Sequence, residues 1–355
     1  MDVYIKKRRT GLYMKNMVKY VLFFIFGALS AEQKKIVYCF TNYDEKSFWQ
    51  EKGDFFKEIF EPTYQVKFTS HTKNLKNYAY IITLEAPHAQ ENYKSLFNYP
   101  KENVLLFSFE GQITHPLSHD PKYHGCYSKI FTWNDDLVDN KRYFKTLFPF
   151  SDPLPLLDDV VPFDQKKLCV LMGTNNVYHH PIENYSGRER LINFFENIPA
   201  ADFDFYGYGW ASRYKNWKGF LDWSRESPIF EVGNFTYSRR YTKINVIKNY
   251  KFDIVYENCK DQNGYLTERL FDTFAAGCVP VYWGSKNIGT YIPLSCLIMR
   301  NAFASDDHLY SYLKNMKEEE YVRYQDAIRA FLISKEIKKL RTSYFIESIK
   351  VILGL

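Results

Sequence analysis

The chain has 355 residues, enough for about two domains of ordinary size. Charged residues make up 25% and hydrophobic residues 46% of it, and these values exclude a mostly disordered protein. The formal net charge is +6, but residues 1–20 contribute +5, because six basic residues outnumber Asp2 there. The remaining chain is nearly neutral, so bulk charge gives no reason to expect a nucleic-acid partner.

A short apolar run, residues 20–29, follows the basic start and ends in small residues at Ala28 and Ser30. This order is typical of a secretory signal peptide. The run is shorter than the ~20 residues that a membrane-spanning helix needs, so a short membrane anchor and a buried first element are the alternatives. We expect residues 1–34 to be a leader that directs the chain to the secretory pathway or a membrane. That means a Golgi-type lumen in a eukaryote and the cell envelope in a bacterium.

The next part of the chain predicts a parallel sheet. Nearly continuous apolar runs occur at residues 35–40, 78–84 and 103–109. Such runs favour strands that are covered on both faces. A proline-rich break begins at residue 148 and leads to Pro162. We therefore predict an α/β domain over residues 35–150 and a linker over residues 151–165.

A second alternating series follows the break. Its predicted strands are 168–172, 202–207, 252–256 and 279–284, and its predicted helices are 188–197, 267–276, 317–332 and 334–352. These elements predict a second α/β domain over residues 166–335 and a C-terminal helix over residues 336–355. Two such series predict two Rossmann-like, doubly wound domains that face a cleft.

The sequence predicts no metal centre. None of the six cysteines forms a Cys-x-x-Cys pair, and Cys39 and Cys169 lie in apolar runs, where we expect buried thiols. Asp202 and Asp204 resemble the Asp-x-Asp pair of metal-dependent sugar transferases. The alternation around them favours an ordinary half-buried strand.

The most informative segment begins where a predicted strand ends in polar residues, at 256–258, and continues through a loop into a helix. Ligands of open α/β sheets bind at such strand ends. Arg269 offers phosphate oxygens a planar fork of donors, and Glu268 can accept from sugar hydroxyls. A solvated first turn, with both side chains in water, is the alternative.

Residues 256–258, 265–270 and 276–285 resemble the donor-binding signature of the α1,3/4-fucosyltransferases, glycosyltransferase family 10. The similarity is strongest over residues 252–295 and weaker over residues 103–332. It implies a GT-B fold, with GDP-fucose in the C-terminal domain and the acceptor glycan against the N-terminal domain.

The resemblance also implies roles in donor binding. Asn258, Tyr265 and Glu268 would orient the donor, while Arg190 and Arg269 would bind its diphosphate. Arg269 stands where the family usually has a lysine. We interpret the nearby Arg188 as a surface arginine, with a second phosphate contact as the alternative.

Glu110, which follows a predicted strand, matches the family's catalytic base. The residues after it, beginning with Gly111, depart from the usual pattern. Glu85 also follows a predicted strand and is therefore the rival candidate.

The implied activity is inverting transfer of L-fucose from GDP-fucose to a GlcNAc-containing glycan, through an α1,3 linkage. No metal cofactor is required in this scheme, and a divalent metal would at most stimulate. The expected partners are GDP-fucose and an oligosaccharide or glycoconjugate, without nucleic acid and with a possible membrane association through the N-terminus. The alternatives are a GT-B enzyme that uses another nucleotide-sugar and a glycan-binding protein without catalysis.

Overall fold

The computed structural model describes residues 34–42, 54–147, 161–199, 202–210, 214–219, 231–232, 235–236 and 238–355. Most of the expected leader and most of the expected linker lie outside these ranges. Within them, no helix combines the length and the apolarity that crossing a bilayer requires.

Six parallel strands form the first sheet. They are β1 (Ile36–Thr41), β2 (Gln65–Thr69), β3 (Tyr78–Leu84), β4 (Val104–Ser108), β5 (Lys129–Thr132) and β6 (Tyr143–Lys145). They lie in the order β2-β1-β3-β4-β5-β6, so that β4 is internal and buried along its whole length. Two helices, α1 (Asp54–Phe60) and α2 (Gln90–Ser95), belong to this part of the chain.

Five parallel strands form the second large sheet. They are β7 (Lys167–Met172), β8 (Phe203–Tyr206), β11 (Tyr250–Tyr256), β12 (Val279–Trp283) and β13 (Ile298–Met299), in the order β13-β12-β11-β7-β8. A separate ribbon contains β9 (Glu231–Val232) and β10 (Phe235–Thr236). The helices are α3 (Tyr185–Phe195), α4 (Ser238–Ile247), α5 (Arg269–Ala275), α6 (Asp306–Asn315), α7 (Glu318–Leu332) and α8 (Thr342–Leu353).

Both sheets reverse their strand order at one place. In each sheet, the first strand lies between the second strand and the third strand of that sheet. The reversals therefore lie between β1 and β3 and between β7 and β11. Connections leave such a pair toward opposite faces, which opens a crevice at the carboxyl ends of the two strands. The two parallel sheets and their helices confirm the predicted α/β class.

Several element boundaries differ from those predicted. The helix predicted over residues 267–276 begins at Arg269. The continuous helix predicted over residues 334–352 is interrupted, because Arg341 has extended backbone (ψ 156°) between a 3₁₀ turn, Glu336–Leu340, and α8.

The sequence predicts no strand at the positions of six short ones, β2, β5, β6, β9, β10 and β13. In β2, part-exposed and exposed residues alternate. Such a strand lacks the continuous apolar run that marks a strand covered on both faces.

The last helix, α8, packs on the first sheet although it follows the second sheet in the chain. Phe345, Ile346 and Ile349 are buried in the core of the first domain. The ring of Phe345 lies 5.2 Å from that of Phe55 in α1 and 6.0 Å from that of Phe109, which follows β4. The C-terminal helix therefore completes the core of the N-terminal domain.

We expect Phe345→Ala to lower the free energy of unfolding of the first domain by about 3–5 kcal/mol, because it leaves a cavity in a closed aromatic cluster. The neighbouring Tyr344 is the matched control, since 50% of it is exposed and Phe345 is only 6% exposed. Tyr344→Ala should change stability by about 0.5 kcal/mol or less. Urea titration followed by tryptophan fluorescence measures both variants, and equal losses would contradict the docking of α8.

Candidate active site

The carboxyl edges of the two large sheets meet at Gly111, which follows β4. A Cβ atom at this position would lie 2.7 Å from Sγ of Cys259 and 3.1 Å from the Tyr265 hydroxyl oxygen, both in the loop after β11. Van der Waals radii forbid the first distance. A glycine at position 111 therefore allows the backbone after β4 to approach the second domain.

A polar group, the Asp135 cluster, joins the domains beside this contact. It comprises Asp135 and Lys145 from the first domain and Asn287 and Tyr291 from the second. Lys145 Nζ lies 2.6 Å from Asp135 Oδ1, and the carboxylate also accepts from Asn287 Nδ2 at 2.7 Å and from the Tyr291 hydroxyl at 2.6 Å. Burial by itself would raise the pKa of Asp135, but the hydrogen bonds from Lys145, Tyr291 and Asn287 outweigh it and lower that pKa.

Arg188 lies in the first turn of α3 and is 1% exposed, so its interpretation as a surface arginine is wrong. Its Nε and Nη2 donate to the carbonyl oxygen of Tyr256, at 3.0 and 2.6 Å, and Nη2 donates to Asn258 Oδ1 at 2.9 Å. Among the described residues, its buried Nη1 has no hydrogen-bond partner. Burial, and then the positive charge of Arg269, lower the pKa of Arg188 to about 9.

Arg269 begins α5 and reaches the end of β7. Its Nη1 donates to the carbonyl oxygen of Met172 at 2.8 Å, and its Nε lies 4.0 Å from Glu257 Oε2. Burial lowers the pKa of Arg269, but the carboxylates of Glu257 and Glu268 outweigh burial and raise that pKa overall. The side chain is 21% exposed, so Arg269 can contact a ligand.

The two arginines flank the reversal point of the second sheet. Arg188 bonds the last residue of β11 and Arg269 bonds the last residue of β7, and these strands are neighbours. Glu257 is buried beside them and accepts from the Thr267 hydroxyl at 2.8 Å, which fixes the loop before α5. A ligand with two adjacent negative charges, such as a diphosphate, complements this arrangement.

The other predicted donor residues surround this pair in different environments. Asn258 is partly buried and bonds Arg188. Tyr265 is 1% exposed and packs on Trp133 of the first domain, with ring centroids 4.8 Å apart, so it forms part of the domain contact. Glu268 is partly exposed immediately before α5.

Arg190 lies apart from the pair formed by Arg188 and Arg269. Its side chain is 50% exposed, its Nε donates to Asp306 Oδ2 at 3.1 Å, and its guanidinium lies 5.6 Å from the ring centre of Trp283. Residues two apart on a helix point about 200° apart, so Arg188 and Arg190 cannot face the same crevice. The sequence carries an Arg-x-Arg pair there, and charge alone predicts exposure for both. The structure therefore does not bring Arg190 to the arginine pair, and the phosphate role predicted for it becomes the alternative to that of Arg188.

Glu110 lies at the facing edge of the first sheet and is partly exposed. Its carbonyl oxygen is 2.9 Å from both Trp133 Nε1 and His119 Nε2. The rival Glu85 is 2% exposed, and burial raises the pKa of its carboxyl to about 7. Exposure therefore favours Glu110 as the carboxylate that can meet a substrate.

The remaining candidate metal ligands have other partners. Asp204 binds Lys167 at 2.7 Å, and Asp202 binds Lys314 at 2.6 Å. No group of three potential metal-ligating side chains occurs in the described ranges. All six cysteines, which lie within those ranges, are buried thiols without disulfide bonds, as expected for Cys39 and Cys169.

Residues 183–346 match the model of a family described as Glycosyltransferase family 10 (fucosyltransferase) C-term. An α-(1,4)-fucosyltransferase of Arabidopsis thaliana is 32% identical over 73 residues, which cover 21% of this chain and 18% of that protein. A GDP-fucose protein O-fucosyltransferase 3 of Gallus gallus is 33% identical over 105 residues, which cover 28% of this chain and 20% of that protein. The matched segment thus spans about a fifth of the length of these relatives.

The crystal structure of an α1,3-fucosyltransferase superposes on the chain with a TM-score of 0.55 and 14% identity, over 92% of each chain. At this level of identity, the similarity shows the fold. Together with the two facing parallel sheets, it confirms the predicted GT-B architecture.

We expect Asp135→Ala to lower the free energy of unfolding by about 1–3 kcal/mol at pH 7, because it removes the shared acceptor of partly buried donors from both domains. The folded-state pKa of Asp135 is lowered, so its contribution is present above its ordinary pKa and is lost as pH falls through the lower, folded-state value. The deficit of the variant should therefore shrink toward pH 3.

Asp136→Ala is the matched control, since Asp136 is exposed and accepts a single bond from Asn263 across the same interface, at 2.9 Å. Urea titrations at pH 7 and pH 3 measure both variants. A deficit of Asp135→Ala that persists unchanged at pH 3 would contradict the role given to the Asp135 carboxylate.

Proposed function

We propose that this chain, which belongs to glycosyltransferase family 10 through its C-terminal domain, residues 183–346, transfers L-fucose from GDP-fucose to a glycan acceptor. The observation that carries the proposal is the pair formed by the buried Arg188 and the partly exposed Arg269 at the reversal point of the second sheet, where an α/β domain binds its ligand. The names of the relatives, a fucosyltransferase and a GDP-fucose protein O-fucosyltransferase, support fucose as the transferred sugar.

The arginine pair would stabilise the leaving group. As the bond between fucose C1 and the β-phosphate oxygen breaks, negative charge grows on GDP. Arg269 is partly exposed and can donate to that phosphate, while Arg188 adds a second positive charge and an unpartnered Nη1 behind it. Fixed cations stabilise a transition state most where charge develops. We therefore expect transfer without a required metal cofactor, and a divalent metal would at most stimulate it.

The first domain would supply the base and the acceptor crevice. Glu110 would take the proton of the acceptor hydroxyl. At the same time, the oxygen of that hydroxyl would attack C1 of fucose from the side opposite to GDP, which inverts the anomeric centre. At the nearby reversal point, Asn42 Nδ2 donates to the Ala86 carbonyl and its Oδ1 accepts from the His88 amide, both at 3.0 Å. We propose that a GlcNAc-containing acceptor binds along this edge and receives fucose through an α1,3 linkage.

A donor assay tests the function. The purified chain is incubated with GDP-fucose and a glycan array, and both GDP release and fucose incorporation are measured. We expect GDP-fucose-dependent labelling of GlcNAc-containing glycans, with release of GDP. Turnover with a different nucleotide-sugar would favour a GT-B enzyme that uses another donor. Glycan binding that GDP does not affect would favour a glycan-binding protein without catalysis.

Arg269→Ala should raise the dissociation constant of GDP about 10–100-fold, the loss expected for a hydrogen bond to a charged group. Arg190→Ala is the matched control, and we expect less than about a twofold change because Arg190 pairs with Asp306 instead. Isothermal titration calorimetry measures both variants. The reverse ranking would move the phosphate site to Arg190 and refute the arginine pair.

Glu110→Gln should lower the turnover number about 10²–10⁴-fold, because the amide cannot accept the acceptor's proton. Its affinity for GDP should be unchanged, since Glu110 belongs to the opposite domain. Steady-state kinetics with GDP titration measure both quantities. Full activity of the variant would show that another group is the base.

A further inference from the structure

Glu85 occupies an unusual position for a carboxylate. It follows β3 directly, with φ +64°, in the left-handed region that side chains other than glycine rarely adopt. It is 2% exposed, and its Oε2 is buried without a hydrogen-bond partner among the described residues. A strained backbone and a buried carboxyl group are both costly, and such costs concentrate at functional sites.

The Glu85 side chain reaches across to the neighbouring strand. Its Oε1 accepts from the backbone amides of Phe109 and Glu110, at 2.6 and 2.8 Å. Its own amide donates to the carbonyl oxygen of Phe107 at 2.9 Å. A single side chain therefore holds the first two residues after β4, where the sheet no longer supplies partners.

The other side of the same segment is also fixed. The Glu110 carbonyl oxygen lies 2.9 Å from Trp133 Nε1 and 2.9 Å from His119 Nε2. The Glu110 backbone is thus bonded at its amide by the residue after β3 and at its carbonyl by the segments after β4 and β5. The Glu110 backbone is therefore held on both sides, at its amide and at its carbonyl oxygen.

We propose that Glu85 is a positioning residue that fixes the Glu110 carboxylate by binding the two successive amides of Phe109 and Glu110. This inference rests on the proposed function, in which Glu110 takes the acceptor's proton. Proton transfer needs the base within hydrogen-bond reach of the hydroxyl, and a displacement of ~1 Å can cost about 10²-fold in rate.

Three variants separate this role from general stability. Glu85→Gln keeps an oxygen that can accept both amide bonds, whereas Glu85→Ala removes it. Glu85→Gly also removes it but suits the positive φ, so it covers the case in which the alanine variant does not fold. The matched control is Thr83→Val on the same strand, which loses a buried hydrogen bond to the Tyr127 hydroxyl (3.1 Å) without touching Glu110.

We expect Glu85→Ala and Glu85→Gly to lower kcat about 10–100-fold with an unchanged KM for GDP-fucose, and Glu85→Gln to stay within about threefold of wild type. Amide hydrogen exchange of peptides covering residues 104–115 should accelerate in the first two variants and not in Glu85→Gln or Thr83→Val. A kcat loss no larger than that of Thr83→Val, or an equal loss in Glu85→Gln, would overturn the positioning role. A wild-type chain that transfers no fucose would instead refute the proposed function.

Discussion

Two guanidinium groups held close together at the end of a parallel sheet are the constraint on which the rest of the site depends. Like charges repel strongly where water is excluded, and each loses hydration on burial. The lowered pKa of Arg188 reports this cost, first from burial and then from Arg269. The described partners of Arg188 are carbonyl and amide oxygens, which bind its Nε and Nη2, leave Nη1 without a partner and do not cancel its charge. Glu257 lies 4.0 Å from Arg269, whereas the described hydrogen bonds of Arg188 include no carboxylate, so an anionic ligand can complement the charge of Arg188.

The strand order of the second sheet makes this arrangement possible. Because β7 and β11 are neighbours, the carbonyl groups of Met172 and Tyr256 end side by side and can each bind one arginine. Glu257, the next residue along, is buried and bonded to Thr267, so the loop that carries Arg269 is fixed to the same strand end. The strand order thus places the two arginines next to each other, and the loop before α5 holds Arg269 in this position.

Contacts between the two domains hold the facing edge of the first sheet close to this site. The Asp135 cluster and the close approach at Gly111 set the distance between the edges. From behind, α8 packs Phe345 against Phe109, the residue directly before Glu110. The C-terminal helix, the Glu85 carboxylate and the domain contact therefore act on one short segment after β4.

The sequence predicts the buried strands well, because continuous apolar runs identify parallel strands covered on both faces. The bounds predicted for β3 match the structure, and the strands that carry the site residues differ by one or two residues. A single sequence does not show which way a side chain points on its helix. Arg188 and Arg190 have the same chemistry, and only the turn at which α3 begins decides which of them faces β11.

The same limit applies to the two carboxylates of the first domain. Glu85 and Glu110 both follow buried strands, so the pattern offers two equal candidates. Their difference lies in a positive φ at Glu85, which turns its side chain inward across β4. That conformation is set by tertiary contacts, since a glutamate does not favour it by itself.

The departure at Arg269 has a physical explanation in this arrangement. The three N–H donors of the family's usual lysine share one nitrogen, so its bonds to the Met172 carbonyl and to phosphate would have to meet at a single point. Arginine presents a planar fork with donors on three nitrogens. Here Nη1 bonds Met172 and Nε faces Glu257 at 4.0 Å, which leaves Nη2 for a ligand. In the proposed reaction, the arginine can therefore bond the strand end and the diphosphate from two different nitrogens.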